Sequence, residues 1–222
     1  MTGATIGDHY RASRQRLTRL LGDAAAVDWA TPVPACPGWD VHDVVAHLTA
    51  VVVDANAGRL TGPPTPDETA EQVARYRSTP PEALLADWES GAPAFEQAIT
   101  ALDIWPAAID VGSHEQDVRG ALGRPGARDS ALVVEAARGL VAGLDCGATL
   151  EVTFTDAGGT VRSAGGAPVT HALRATAFEV FRLRMGRRSR DQVAALDWSP
   201  PPSDAVLDGL FVFGPAVAPV IE

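Results

Sequence analysis

The sequence predicts an α+β protein in which a helical N-terminal part, residues 1–146, precedes a small α+β part, residues 147–222. Up to about residue 144, apolar residues recur at three- and four-residue intervals, as expected for helices that bury one face. Beyond residue 148 the pattern changes to a period of two, which is typical of strands. With 222 residues, of which 46% are hydrophobic, the chain is long enough to bury a sizeable core.

Three helices are expected in the first third of the chain. The first covers about residues 8–21, where leucines are interleaved with arginines in an amphipathic pattern. After a proline-rich loop, Asp40 is a suitable N-cap for a second helix, whose valines and leucine recur at helical spacing. The Gly-Pro-Pro cluster at 62–64 separates this helix from a third at about 67–76.

Three more helices complete the expected N-terminal part. They are predicted at about 81–102, from Trp105 to the turn signal at 123–126, and at 132–144. Short connections between amphipathic helices are typical of a helical bundle.

The C-terminal part begins with a hairpin signal. Residues 149–155 alternate between apolar and polar side chains, and Asp-Ala-Gly-Gly at 156–159 then leads into a second extended segment at 160–163. A helix is expected from about His171 to Met185, followed by a short extended piece and a last helix at about 205–213. We therefore place the domain boundary near residue 146.

Composition excludes several classes of function. The net charge of −10 argues against nucleic acid as a partner, because such a surface needs a basic face. All 18 basic residues are arginine, which excludes Schiff-base chemistry and a lysine-dependent phosphate loop. Only Cys36 and Cys146 are present, so neither a disulfide framework nor a cysteine-rich zinc site is expected. Without a membrane-spanning or signal segment, we expect a reduced, cytoplasmic protein that has no membrane partner.

Three residues are candidate ligands for a divalent metal. On the expected fifth helix Asp110, His114 and Asp117 fall in one narrow stripe, so a carboxylate and an imidazole can point at the same atom. His47 lies at the border of the apolar face of the second helix. Two histidine nitrogens and one carboxylate oxygen form a set that leaves a position open on zinc. The alternative is an ordinary helix pair of Asp110 with His114, and a border histidine with a structural partner.

The segment from Asp28 to Leu48 carries a family resemblance. It reads Asp-Trp-Ala-Thr-Pro-Val-Pro-Ala-Cys-Pro-Gly-Trp-Asp-Val and ends in His47-Leu48, and it resembles the signature of the mycothiol-dependent maleylpyruvate isomerase family. The N-terminal domain of that family belongs with the DinB-like metal-binding bundles. The likeness extends to the Asp-x-x-x-His-x-x-Asp segment at 110–117, to Ala-Leu-Gly at 121–123, and to the arginine-rich region that ends in Met-Gly-Arg at 185–187.

The resemblance implies a fold and a set of cofactors. It implies a DinB-like four-helix-type bundle that holds zinc through His47, Asp110 and His114, followed by a small α+β domain resembling sterol-carrier modules. The expected partners are a small-molecule substrate and the low-molecular-weight thiol mycothiol as cosubstrate. Asp117 matches the family's following aspartate and is expected to orient a ligand histidine. Trp39 is expected to pack rather than react.

The sequence departs from the family at one position, because the family usually has glutamate where this chain has Asp110. The shorter side chain shifts the helix inward, binds the metal through water, or weakens the site. The other site residue that the resemblance suggests is Arg187, with Arg182 in reserve, to bind the substrate carboxylate or stabilise enolate charge. The alternative for Arg187 is complementation of a helix C-terminus.

The activity that the resemblance implies is a metal- and mycothiol-dependent isomerisation of a small unsaturated carboxylate. Because one fold can host several chemistries, two alternatives stay open at this point. One is a mycothiol S-transferase that conjugates the thiol to a small electrophile. The other is a non-catalytic module that binds a metal or a small molecule.

Overall fold

The chain is described by a computed structural model over residues 3–22, 27–164 and 168–222. It forms two compact units, Met1–Pro125 and Gly126–Glu222. The predicted α+β class is confirmed, since the described residues form nine helices and one four-stranded sheet. Within these described ranges, no helix combines the length and apolar character that crossing a bilayer requires.

The first unit is built from five helices, which match the expected order. They are α1 (Ile6–Leu21), α2 (Val41–Asn56), α3 (Pro66–Tyr76), α4 (Pro81–Ala101) and α5 (Trp105–Ala121). Thr5, Asp40 and Thr65 begin α1, α2 and α3, and each forms a capping box with the acidic residue three positions on. These caps satisfy backbone N–H groups that have no partner within a helix, and Asp40 is the one of the three that was predicted from the sequence.

The core of the first unit holds α2 and α5 beside each other. Helices α4 and α5 each pack against both α1 and α2. Trp88 of α4 is fully buried, and its indole N–H donates to the hydroxyl of Tyr10 in α1 over 2.9 Å. Burial also raises the pKa of Tyr10 above its usual range. This packing fixes α2 and α5, the two helices that carry the candidate metal ligands.

The second unit combines a mixed sheet with helices. Its elements are α6 (Ala131–Ala142), β1 (Leu150–Phe154), β2 (Thr160–Arg162), β3 (His171–Ala175), α7 (Ala177–Arg184), α8 (Arg190–Ala194), β4 (Asp197–Ser199) and α9 (Asp204–Gly209). The strand order is β2-β1-β3-β4, in which only the central β1–β3 pair is parallel. Helix α6 packs against α7 and β2, so the chain divides after residue 125 rather than near residue 146.

The prediction of a helix from His171 to Met185 is wrong for residues 171–175. Residues 171–175 form β3, which pairs with β1 in parallel register, and α7 begins only after Thr176. Leu173 and Ala175 are buried whereas Arg174 between them is exposed, which is the alternation of a strand. The Thr176 side chain then accepts a hydrogen bond from the Glu179 N–H and starts the helix.

Candidate metal site

Helices α2 and α5 bring His47, Asp110 and His114 together. One ligand atom from each residue lies within 4.8 Å of the others. The Asp110 carboxylate places Oδ2 3.5 Å from His47 Nε2 and Oδ1 3.5 Å from His114 Nε2. Both imidazoles are buried, whereas 36% of the Asp110 side chain is exposed. The cluster is therefore reached from the side of Asp110.

These separations suit a small ion with tetrahedral ligands. Zinc bonds to imidazole nitrogen and carboxylate oxygen are about 2.0–2.2 Å long, so two tetrahedral ligand atoms lie about 3.4 Å apart. The nitrogen–oxygen distances of 3.5 Å, one to each oxygen of the Asp110 carboxylate, are close to that spacing. Two imidazoles and one carboxylate are also ligands that zinc accepts, with a further position left for a thiol or water. Asp110 reaches both histidines although it is shorter than the glutamate usual in the family.

The opposite nitrogen of each histidine has a buried polar partner. His114 Nδ1 lies 3.0 Å from Asp117 Oδ2, and His47 Nδ1 lies 3.1 Å from Gln72 Oε1. These Nδ1 contacts are shorter than the 3.5 Å contacts of both Nε2 atoms with Asp110, so they favour the imidazole hydrogens on Nδ1 and the lone pairs on Nε2, as in metal sites whose histidines are oriented by outer partners. Asp117 lies where the sequence suggested. Gln72 on α3 was missed, since nothing in its spacing or residue type distinguishes it from a helix-surface glutamine.

The loop before α2 covers the two imidazoles with Trp39. Its ring centroid lies 5.5 Å from that of His47 and 6.1 Å from that of His114, on which it stacks. The Val33 N–H donates to the Trp39 carbonyl oxygen over 2.9 Å and closes the loop, and Gly38 has a φ of +87°, which suits glycine. Trp39 packs as predicted and excludes water from the ring faces.

A second group of possible ligands shares His114. Cys36 Sγ donates to Asp117 Oδ2 over 3.3 Å and lies 3.8 Å from His114 Nδ1. A metal held by Cys36, His114 and Asp117 would bind Nδ1 of His114, whereas a metal held by His47, Asp110 and His114 would bind Nε2 of the same ring. A neutral imidazole has only one nitrogen lone pair, so the two sets exclude each other. The buried Asp117 carboxylate can only accept a hydrogen bond when ionised, which places the imidazole hydrogen on Nδ1 and favours the set with His47.

A third group, formed by Asp40, His42 and Asp43, is explained by helix capping. The Asp40 side chain accepts from the Asp43 N–H, and the Asp43 side chain accepts from the Asp40 N–H. His42 Nε2 lies 2.8 Å from the Thr79 carbonyl oxygen. The donors and acceptors of this group therefore serve the start of α2 and its contact with the following loop.

Replacement of Cys36 by serine is expected to leave bound zinc unchanged. The thiol contacts Asp117 and the Nδ1 side of His114, not the nitrogen that faces Asp110. Metal analysis of the purified variant beside the unmodified protein checks this expectation. A Cys36→Ser protein that loses its zinc would instead identify Cys36, His114 and Asp117 as the metal ligands.

Arg187 lies in the second unit, three residues beyond the end of α7. It is half-buried, and its Nη1 donates to the Met185 carbonyl oxygen over 2.7 Å. Arg182 is fully buried, and its Nε donates to Glu222 Oε2 over 3.1 Å. Because Arg182 is fully buried in an ion pair with Glu222 whereas Arg187 is half-buried, Arg187 is the more accessible of the two candidates for binding an anionic substrate.

The molecule is thus an α+β protein whose helical unit carries two buried histidines and a carboxylate in a geometry that can hold a metal ion. Residues 10–128, more than half of the chain, match the family described as the mycothiol maleylpyruvate isomerase N-terminal domain, and the chain belongs to this family. The matched segment includes His47, Asp110 and His114. The family suggested by the sequence motif is confirmed.

Two crystal structures share the fold. One is a mycothiol-dependent maleylpyruvate isomerase, with a TM-score of 0.54, and the other is a histidine-to-alanine mutant of such an enzyme, with a TM-score of 0.55. Each is 15% identical in sequence, and each alignment covers 90% of this chain and 94% of the other. No curated protein sequence matches the chain significantly. At this identity the structures establish a common fold over both units.

Proposed function

We propose that the chain is a zinc- and mycothiol-dependent isomerase of a small unsaturated carboxylate, acting in the cytoplasm. The observation that carries the proposal is the convergence of His47, Asp110 and His114 on one point within the segment that matches the family. Neither Cys36 nor Cys146 forms a disulfide, which agrees with a reducing compartment.

When bound, zinc would favour the thiolate form of a thiol cosubstrate, because a coordinated thiol loses its proton readily. The chain itself prepares the site: Asp117 keeps the hydrogen on Nδ1 of His114, and Trp39 excludes water from the ring faces. A thiolate that adds to the electron-poor double bond of a cis substrate forms a C–S bond, moves the π electron pair into an enolate, and leaves a single bond about which the adduct can rotate. Expulsion of the same thiolate then gives the trans isomer and regenerates the thiol, so neither cysteine of the chain is needed.

The test is turnover of maleylpyruvate by the zinc-loaded protein with and without mycothiol. We expect conversion to the trans isomer only with the thiol, whose concentration stays constant because it is regenerated. Consumption of mycothiol with formation of a conjugate would instead identify an S-transferase. A purified protein that takes up no zinc would identify a non-catalytic module.

Arg187 is the residue that we propose binds the substrate carboxylate. Replacement of Arg187 by alanine is expected to lower kcat/KM by about 100-fold, the usual loss when a donor to developing negative charge is removed. Zinc content should stay unchanged. Steady-state kinetics together with metal analysis check both expectations.

Arg190 provides the matched control for the loss of one positive charge in the same region. Its guanidinium pairs with Asp204 over 2.7 Å on the surface of the second unit. Arg190→Ala should therefore retain the kcat/KM of the unmodified protein. Equal losses in the two variants would assign the effect to net charge and remove Arg187 from the proposed site.

A further inference from the structure

We propose that Gln72 and Asp54 form a relay that positions His47 and fixes which of its nitrogens faces the metal. This inference rests on the proposed metal site, but it concerns residues outside the ligand set. Gln72 lies on α3 and Asp54 lies near the end of α2, seven residues beyond His47. In the relay Asp54 orients Gln72, and Gln72 orients His47.

The contacts of Gln72 are buried on both sides. Its side chain is 1% exposed, with Oε1 3.1 Å from His47 Nδ1 and Nε2 3.0 Å from Asp54 Oδ2. Helix α3 is otherwise largely exposed, and its buried residues are Gln72, Val73 and Tyr76. A buried amide costs free energy unless it is hydrogen-bonded, and here both ends have partners.

Asp54 determines which end of the amide faces the histidine. Arg75 donates to both of its oxygens, over 2.7 and 2.8 Å, and Arg59 donates to Oδ1 over 2.9 Å. The hydrogen bonds from Arg75, with those from Arg59 and Gln72, hold the pKa of Asp54 well below its usual range despite its burial. An ionised carboxylate only accepts hydrogen bonds, so the amide N–H₂ group of Gln72 must face Asp54.

The amide orientation then determines the tautomer of His47. With its N–H₂ group on Asp54, Gln72 presents its carbonyl oxygen to His47 Nδ1. A carbonyl oxygen accepts, and it lies 3.1 Å from Nδ1 whereas the Asp110 carboxylate lies 3.5 Å from Nε2, so the contact with Gln72 favours the imidazole hydrogen on Nδ1 and the lone pair on Nε2. The other tautomer would place a lone pair against the carbonyl oxygen and a hydrogen where a metal has to bind.

The two histidines are therefore oriented by partners of different charge. At Nδ1, His114 has a carboxylate partner, Asp117, while His47 has the neutral amide of Gln72, which separates this nitrogen from the Asp54 carboxylate. A second carboxylate in direct contact would add negative charge to a cluster that already contains Asp110 and Asp117. Asp54 instead orients the amide of Gln72, and this neutral amide orients His47. The charge of Asp54 therefore does not lie next to the imidazole ring.

The experiment measures the relay in the zinc-free protein as well as in the loaded one. Long-range ¹H–¹⁵N NMR spectra report which imidazole nitrogen of His47 carries the hydrogen, and chelator competition gives the zinc affinity. The unmodified protein should show the hydrogen on Nδ1. In Gln72→Leu the two tautomers should mix and zinc affinity should fall by about 10- to 100-fold, the usual cost of losing an outer partner.

Two further variants separate orientation from simple packing. Val73→Ala removes a buried apolar side chain from the same helix and leaves the hydrogen bond between Gln72 and His47 in place, so it should keep the hydrogen on Nδ1. In the double variant Gln72→Glu with Asp54→Asn, the amide at position 54 donates to the carboxylate at position 72, which still accepts from His47 Nδ1. This variant should keep the hydrogen of His47 on Nδ1 and retain most of the zinc affinity.

Three results would overturn the relay. They are a hydrogen on Nε2 in the unmodified protein, an unchanged tautomer in Gln72→Leu, or an equal change in Val73→Ala. The tautomer of the zinc-free protein decides the relay even where no zinc binds. A protein that binds zinc and has the relay but does not isomerise maleylpyruvate would contradict only the proposed function.

Discussion

Replacement of His114 by alanine is expected to abolish both zinc binding and mycothiol-dependent isomerisation. The variant loses the Nε2 lone pair that faces Asp110, and it leaves the buried carboxylate of Asp117 without its imidazole partner. Loss of an outer partner alone costs about 10- to 100-fold in metal affinity, so loss of a ligand should exceed that range. Metal analysis, zinc affinity and turnover of maleylpyruvate are the measurements.

His42→Ala is the matched control, because it removes a half-buried histidine from α2 without altering the proposed ligand set. The imidazole of His42 contacts the Thr79 carbonyl oxygen, so its loss should leave zinc content and turnover unchanged. If His42→Ala lost its zinc while His114→Ala kept it, the ligands would have to be sought at the start of α2, and our assignment would be wrong.

The helices of the first unit could be predicted because their signals are local. Caps such as Asp40 and breakers such as the Gly-Pro-Pro cluster lie at the ends of the helices, and apolar spacing identifies the faces. Strand β3 was missed for the opposite reason. Its residues, His-Ala-Leu-Arg-Ala, include strong helix formers, and only the pairing with β1, about 20 residues earlier, and with β4, about 25 residues later, makes them a strand.

The residues of the candidate site also divide into those that a local sequence pattern identifies and those that only tertiary contacts identify. His114 and Asp117 lie on one turn of α5, so helical spacing places them together, and the place of His47 at the border of the apolar face of α2 made it a candidate that the family resemblance then supported. Gln72 acts through the packing of α3 on α2, which helical spacing does not specify. Its glutamine also has the residue type expected of an exposed helix surface. Residues that orient ligands from a neighbouring helix therefore became visible only with the tertiary contacts.

Glu115, beside His114 in the sequence, was also missed as a structural residue, and it anchors α5 to α1. Its carboxylate is 0% exposed and accepts hydrogen bonds from Ser13 and from the guanidinium groups of Arg16 and Arg119. The two arginines approach to 2.7 and 3.0 Å. One buried anion thus serves two cations on two helices, and this arrangement holds the helix on which Asp110 and His114 lie.

Replacement of Glu115 by glutamine is expected to lower the free energy of unfolding by about 2–3 kcal/mol. Breaking a buried ion pair by removing one partner costs about 3–5 kcal/mol. The side chains of Arg16 and Arg119 are 22% and 14% exposed, so water recovers part of that cost. Urea unfolding followed by circular dichroism measures the change.

Glu71→Gln provides the control for Glu115→Gln, since it makes the same substitution at an exposed position of α3. Its effect should stay within about 0.5 kcal/mol, as for most surface substitutions. Glu115 touches none of the proposed ligands, so folded Glu115→Gln protein should still bind zinc in the cold and lose it on heating before the unmodified protein does. Equal stability of the two variants would mean that α5 is held by apolar packing alone, and the buried carboxylate would then have no structural role.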